Sequence, residues 1–239
     1  MNHLFLLAVL MLTSCANAPD VIPGKGGIYG RLSADSHPAF NKKLESNQGS
    51  GSVYGDTQAN DAKYRDNMVD YHQLDELYVG LIQPNLSPQQ HQLTATSEGM
   101  SSHSLALAVG DTLQLHNNST QSQRFYIAET ADTGEGIQTF PTLEAGATAN
   151  YKIDLEGDLE LLSEDNENLK TLLFAKKNML AKRVSSGDSY QFGNLDPGSY
   201  QLIFWYWRLG KIQQIVQVRA EENSRVDKTL TVDSVIKAH

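Results

Sequence analysis

Short stretches of alternating apolar and polar residues recur along most of the chain. Within residues 105–116, leucines and a valine alternate with smaller or polar residues on both sides of a Gly110-Asp111 turn. Strict alternation is the pattern of a half-buried β-strand, and a glycine-aspartate pair favours a tight turn. Similar strands are expected near 77–82, 123–128, 149–153, 159–162, 171–175, 201–209, 212–219 and 226–232. This succession of short strands between glycines and prolines predicts an all-β protein made of β-sandwiches.

Composition and charge narrow the classes of partner. The chain has 239 residues, a formal net charge of −9 and 40% hydrophobic residues. Its mean hydropathy is −0.40 and its isoelectric point is near 5.2. Phosphate backbones and anionic lipid surfaces attract clustered lysine and arginine. We therefore expect no nucleic-acid partner and no adsorption to an anionic membrane surface.

The N-terminus carries an export pattern. Residues 4–12 form an apolar run too short for a settled transmembrane helix, and Leu12-Thr13-Ser14-Cys15 follows. That phrase resembles the lipobox of bacterial lipoproteins, which implies a signal peptide over 1–15 and acylation of Cys15, the only cysteine. Ala16 follows instead of aspartate, which in such lipoproteins implies outer-membrane sorting. A plain secretory signal with an incidental cysteine is the alternative.

Residues 16–73 are mostly polar. They are rich in Asn, Ser, Gly, Asp and Gln and contain the flexible segment Gly49-Ser50-Gly51-Ser52. Few large apolar residues are available for a core, so we expect a flexible tether between membrane and folded body. Residues 28–32 could form a short strand within it, and the body should begin near Leu74.

Two phrases resemble known β-sandwich families. The stretch 105–126, LALAVGDTLQLHNNSTQSQRFY, resembles the start of a cupredoxin domain, and more narrowly the cupredoxin-like "methylamine utilisation protein" group of bacterial exported proteins. This resemblance implies a cupredoxin-like Greek-key β-sandwich over 74–177. The phrase from Phe192 to Leu202, F-x-x-L-x-P-G-x-Y-x-L, resembles the carboxypeptidase regulatory-like module, which implies a small prealbumin-like β-sandwich over 178–239.

The copper ligands that the cupredoxin resemblance implies are missing. A blue-copper site needs two histidines, a cysteine thiolate and usually an axial methionine. Where the family has its histidine pair, this chain has Gln123 and Arg124. Where the family has Cys, His and Met, this chain has Ser163, Asn166 and Leu169. We therefore expect the fold without a metal and without any cofactor.

Histidines elsewhere offer one weak alternative for copper. His103 and His116 flank a predicted hairpin, with Met100 nearby. If they met in space, they could bind Cu(I) or Cu(II) weakly. Spacing such as H-x-x-x-H, which places two ligands on one helix face, is absent from the sequence. We expect surface histidines at these positions.

An acidic stretch and an aromatic stretch could serve partners. Carboxylates at 154, 156, 158 and 160 alternate with other residues, which predicts a solvated strand face or, as a second interpretation, a docking surface for a basic partner. In residues 202–207, Trp205 and Trp207 should point opposite to Phe204 and Tyr206. Tyr206 and Trp207 could form a partner-binding platform, whereas burial on both faces is the alternative.

The sequence shows no supported catalytic constellation, since a nucleophile elbow of the G-x-S-x-G type is absent. We therefore expect a non-catalytic outer-membrane lipoprotein that faces the periplasm or the cell surface. It would act as a binding or scaffold module for an envelope protein or a glycan. The alternative is a copper-handling or electron-transfer periplasmic protein related to the methylamine utilisation proteins.

Overall fold

The computed structural model describes residues 18–35, 71–130 and 136–231, apart from the side chain of His72. Within these ranges the chain forms β-strands and one short 3-10 helix, Tyr71–Gln73, so the all-β prediction is confirmed. In chain order the strands are β1 Gly26–Ala34, β2 Leu77–Ile82, β3 Gln90–Ala95, β4 Ser104–Ala108, β5 Thr112–Asn117, β6 Phe125–Glu129, β7 Ile137–Thr139, β8 Thr148–Lys152, β9 Gly157–Ser163, β10 Lys170–Lys176, β11 Met179–Val184, β12 Ser189–Leu195, β13 Gly198–Tyr206, β14 Gly210–Val218, β15 Asn223–Arg225 and β16 Lys228–Leu230. None of the helical residues described forms a segment long and apolar enough to cross a membrane.

The strands form two β-sandwiches, one inserted into the other. The inserted sandwich is the unbroken stretch from β3 to β10, with sheet orders β3-β5-β8 and β4-β10-β9-β6-β7. The outer sandwich combines β1, β2 and β11 to β16. Its sheets are β12-β1-β15, with β16 also on β1, and β11-β2-β13-β14. The outer sandwich is therefore assembled from three separate pieces of the chain.

Strand β1 corrects the prediction of a tether over 16–73, because the short strand considered at 28–32 belongs to the folded body. It pairs antiparallel with β12 and parallel with β15 and β16. Ile28, Leu32 and Ala34 are at most 1% exposed and belong to the outer core. At Gly30 a Cβ atom would lie 1.8 Å from the carbonyl oxygen of Val226, so only glycine allows this close backbone approach. The rest of the predicted tether, between 36 and 70, and the signal with Cys15 lie outside the described residues.

Strand β2 corrects the start of the predicted cupredoxin-like domain at residue 74. It pairs with β11 and β13 and so is a central strand of the outer sandwich. Leu77, Val79 and Leu81 face the outer core, whereas Tyr78 faces the inserted sandwich. Both faces are buried, which explains why the strand reads as a continuous apolar run.

A third apolar cluster, here called the junction cluster, joins the two sandwiches. Its buried members come from both of them: Tyr78, Ala106, Phe174, Met179, Ile203 and Trp205. The Trp205 ring lies 5.7 Å from that of Tyr78 and 5.6 Å from that of Phe174, centroid to centroid. Aromatic pairs at this spacing add to the stabilisation from their burial. The two sandwiches are therefore packed together through a buried surface.

Candidate functional site at the loop end of the inserted sandwich

The two loops singled out by the family resemblance meet at one end of the inserted sandwich. One loop joins β5 to β6 and the other joins β9 to β10. Strands β6 and β9 are adjacent and antiparallel, with Phe125 opposite Ser163. Gln123 lies just before β6, where it forms an isolated antiparallel bridge with Leu143. The positions singled out by the resemblance, Gln123 and Ser163, are therefore neighbours in space.

A side-chain hydrogen bond closes the space between these two positions. The Ser163 hydroxyl donates to Oε1 of Gln123 at 2.7 Å, and both residues are buried, at 8% and 2% exposure. The amide N–H of Asp165 donates to Ser163 Oγ at 3.1 Å. A buried hydroxyl and amide that satisfy each other avoid the cost of an unpaired polar group. Ser163 and Gln123 thus form a buried structural contact between the two loops.

Leu169 and Asn166 also have structural roles. Leu169 is fully buried in the core of the inserted sandwich, and its carbonyl accepts a hydrogen bond from the Ser163 N–H at 3.2 Å. Asn166 closes the turn between them, because its Oδ1 accepts from the N–H of Asn168 at 3.0 Å. A hydroxyl, two amides and an aliphatic group do not fit copper, which prefers thiolate, imidazole and thioether in such a site.

Arg124 links the same two loops at the protein surface. Its guanidinium lies 3.0 Å from the carboxylate of Glu164 and 3.4 Å from that of Asp165. Its backbone N–H also donates to Asp165 Oδ2 at 2.8 Å, and its carbonyl accepts from the Glu164 N–H at 2.9 Å. Because the side chain is 55% exposed, the ion pairs contribute little, and the backbone bonds fix the loops.

His103 and His116 are placed by different sheets of the inserted sandwich. His116 lies on β5, and its Nδ1 contacts Thr148 Oγ1 at 2.9 Å across to β8. His103 is exposed just before β4, in the opposite sheet. The described ranges contain no group of three or more His, Cys, Asp or Glu side chains that could hold a metal ion.

A histidine–aspartate pair, which the sequence analysis missed, links β3 to the turn between β4 and β5. His91 Nε2 lies 2.8 Å from Asp111 Oδ2, and the Asp111 carboxylate also accepts from the N–H groups of Gln89 and Ala108. Burial of Asp111 opposes ionisation, but these hydrogen bonds outweigh it and hold its pKa below the ordinary value. The Gly110-Asp111 turn was visible in the sequence, whereas the parallel pairing of β3 with β5 was not.

The predicted aromatic platform is only partly accessible. Tyr206 is 5% exposed and packs in the outer core, so its prediction as a partner contact is wrong. Trp205 is buried in the junction cluster, on the opposite face of β13 from Phe204, as alternation predicted. Trp207 is half-buried, and the Arg208 guanidinium lies 4.4 Å from the centroid of its ring. Of the two proposed contacts, Trp207 is the one with accessible surface.

The acidic stretch is neutralised from within the chain. Each carboxylate lies near a lysine, and the pairs are Lys152–Asp154, Lys176–Glu156, Lys211–Asp158 and Lys170–Glu160. The hydrogen bond from Lys176 holds the pKa of Glu156 below its ordinary value. Asp158 and Glu160 lie on β9, whereas Asp154 and Glu156 precede it, so the strand-face prediction is correct only for the first two. The ion pairs favour a solvated surface over a docking surface for a basic partner.

Polar contacts between the two sandwiches lie beside the junction cluster. The buried Glu76 carboxylate accepts from the Ser102 hydroxyl at 2.5 Å and from the Ser104 N–H at 3.1 Å. The Tyr78 hydroxyl donates to the Ser104 carbonyl at 2.7 Å, and burial followed by the Glu76 charge raises the pKa of Tyr78. A cavity of about 260 Å³, lined in part by Arg183, opens beside these groups. These contacts fix the two sandwiches against each other.

Comparisons with known proteins identify similar structures at low scores. No protein-family model matches the chain, and no curated protein sequence matches it. It is similar to a mutant of amicyanin in the Cu(I) form, with 12% identity and a TM-score of 0.31, over 36% of this chain and 80% of amicyanin. It is also similar to a purple cupredoxin from Nitrosopumilus maritimus, with 15% identity and a TM-score of 0.30, over 35% of this chain and 97% of that one.

A third similar structure is the copper-containing nitrite reductase of Thermus scotoductus, with 13% identity and a TM-score of 0.32. The match covers 38% of this chain and 23% of the reductase. At these identities and scores, neither copper binding nor electron transfer carries over to this chain.

Proposed function

We propose that this chain is a non-catalytic, lipid-anchored outer-membrane protein that acts as a binding or scaffold module in the cell envelope. Its inserted sandwich, cupredoxin-like by resemblance, would work without metal. The observation that carries this proposal is the buried Ser163–Gln123 hydrogen bond, because it occupies the meeting point of the two loops with groups unsuited to copper. The partner would be an envelope protein or a glycan.

The membrane anchor in this proposal rests on sequence. An apolar run leads into Leu12-Thr13-Ser14-Cys15, and acyl chains on Cys15 would hold the protein firmly at a membrane. In cell fractionation, Cys15→Ala should release the protein from the membrane or leave it unprocessed. Ser14→Ala keeps a small residue before the cysteine and should leave the protein in the membrane fraction. Normal processing and retention of the Cys15→Ala protein would exclude the anchor.

Thermal melting with and without Cu(II) tests the metal-free part. A ligand that binds only the native state raises the melting temperature by mass action. We expect equal melting temperatures with excess Cu(II) and with a chelator. A large rise with Cu(II) that His103→Ala or His116→Ala abolishes would favour the copper-handling alternative instead.

A further inference from the structure

Strand β14 is a long edge strand without the usual protection. It pairs with β13 through nine consecutive residue pairs without a register shift, from Gly198 with Val218 to Tyr206 with Gly210. On its other side, no strand of the described ranges pairs with it. Residues 212–218, IQQIVQV, contain no charge, proline or glycine. Natural edge strands are usually short, bulged or charged, because unpaired backbone groups attract another strand.

The backbone groups on this open side can be assigned. The Ser224 hydroxyl donates to the Gln217 carbonyl at 3.0 Å, so the backbone groups of Gln217 point away from β13. Backbone direction alternates along a strand, so those of Gln213 and Ile215 also point outwards. The side chain of Ile215 is 70% exposed beside them. An outward N–H and carbonyl pair next to an exposed isoleucine is what an added strand needs.

Other sheet edges differ in charge or length. At the opposite edge of the same sheet, β11 carries Lys182 and Arg183, and the Lys182 ammonium donates to the carbonyl of Gln191 in β12. At the edge of the larger sheet in the inserted sandwich, β7 is only three residues long. Strand β14 is thus both longer than β7 and less charged than β11.

We propose that β14 pairs antiparallel with β14 of a second copy of this chain, about a two-fold axis near Gln213 and Gln214. In the register centred on Gln213, and also in the one centred on Gln214, no charged side chain lies opposite another charged side chain of the second copy. A register centred on Ile215 would place Lys211 opposite Arg219 of the second copy, which like-charge repulsion disfavours. Each copy has a net charge of −9, so two copies approach more favourably at a strand whose residues 212–218 carry no charge than at an acidic surface.

The pairing would make a second copy of this chain the partner in the proposed binding function, and it rests on that function only to this extent. Its geometry does not involve the Ser163–Gln123 contact at the loop end of the inserted sandwich. Copper titration and self-association are separate measurements, so either proposal can fail while the other stands.

Sedimentation velocity of the full mature chain in detergent tests the pairing. We expect a concentration-dependent monomer–dimer equilibrium that Ile215→Lys weakens at least about tenfold, because it places charges at the centre of the paired strands. The matched control is Ile137→Lys, since Ile137 is 61% exposed on β7. This control should leave the equilibrium unchanged. Only monomer at every concentration, or equal effects of the two variants, would overturn the pairing.

Cross-linking gives a second readout that does not depend on a disruptive substitution. With Cys15 acylated, Gln213→Cys introduces the only free thiol, close to the proposed axis. A short bis-maleimide should then produce covalent dimer in high yield, whereas Ile137→Cys, at a 61% exposed position on β7 in the inserted sandwich, should not. Equal yields from the two variants, or no dimer from Gln213→Cys, would contradict pairing through β14.

Discussion

The inserted sandwich and the outer sandwich are made of similar short strands, but they are assembled differently. The inserted sandwich folds from one continuous stretch, β3 to β10. The outer sandwich needs β1 and β2 from before the insertion and β11 to β16 from after it. The first can form its core from neighbouring parts of the chain, whereas the second forms only when distant strands meet. The outer sandwich should therefore depend more strongly on single contacts between distant segments.

The largest expected effect concerns the junction cluster. Trp205 contacts Tyr78 of the outer sandwich and Phe174 of the inserted one, so truncating it removes packing from both. Trp205→Ala should lower the free energy of unfolding by about 3–5 kcal/mol, as for other large core truncations. Urea unfolding followed by circular dichroism measures it. Trp207→Ala is the control at a half-buried site, and an equal loss from both variants would mean that Trp205 has no special role in joining the sandwiches.

The next effect tests whether β1 belongs to the outer core. Leu32 is fully buried between strands that lie far apart in the sequence. Leu32→Ala should cost about 2–5 kcal/mol in the free energy of unfolding. Ile22 is 55% exposed in the same segment, and Ile22→Ala should change stability by less than about 0.5 kcal/mol. If both variants were neutral in urea unfolding, the segment would behave as the tether first expected.

A smaller effect is expected at the loop end of the inserted sandwich. Ser163→Ala leaves the buried Oε1 of Gln123 and the N–H of Asp165 without their partner. The free energy of unfolding should fall by about 1–3 kcal/mol. Arg124→Ala removes only exposed ion pairs at the same loops and should cost at most about 1 kcal/mol. A larger loss from Arg124→Ala would mean that the outer ion pairs hold the loops.

The smallest effect is a pH dependence at the Asp111 carboxylate. Its pKa is lowered in the folded protein, so its contribution to stability is fully present above the ordinary pKa of 3.8 and is lost as pH falls through the lower folded value. Acid unfolding of the full chain should show this loss, and Asp111→Asn should remove that part of the pH dependence. Identical acid profiles for the two proteins would show that the hydrogen bonds do not stabilise the carboxylate.

Much of the inserted sandwich was predictable because alternation is a local signal. The strands around Leu107, Leu113 and Leu115 follow directly from it, and the family resemblance located the loops that meet at Ser163. The role of β1 was not predictable in the same way. Its short apolar pattern lies in a polar region, and its partners are more than a hundred residues away in the sequence.

Burial of individual aromatic residues was also not predictable from the sequence. Alternation correctly separated the faces of Phe204 and Trp205. It could not show that Tyr206 is covered by the outer core, because that cover comes from strands distant in the sequence. The hydrogen bond between Gln123 and Ser163 was equally hidden, since it depends on side-chain positions that only the packed strands determine.

The visible absorption spectrum of the Cu(II)-loaded full chain tests most directly the central claim that the inserted sandwich has no blue-copper centre. The blue colour of such centres requires a copper–thiolate bond held with two imidazoles. Ser163, Gln123 and Leu169 supply none of these groups, so the protein should show no intense charge-transfer band once unbound Cu(II) has been removed. An intense blue charge-transfer band that persists after removal of unbound copper would contradict the claim.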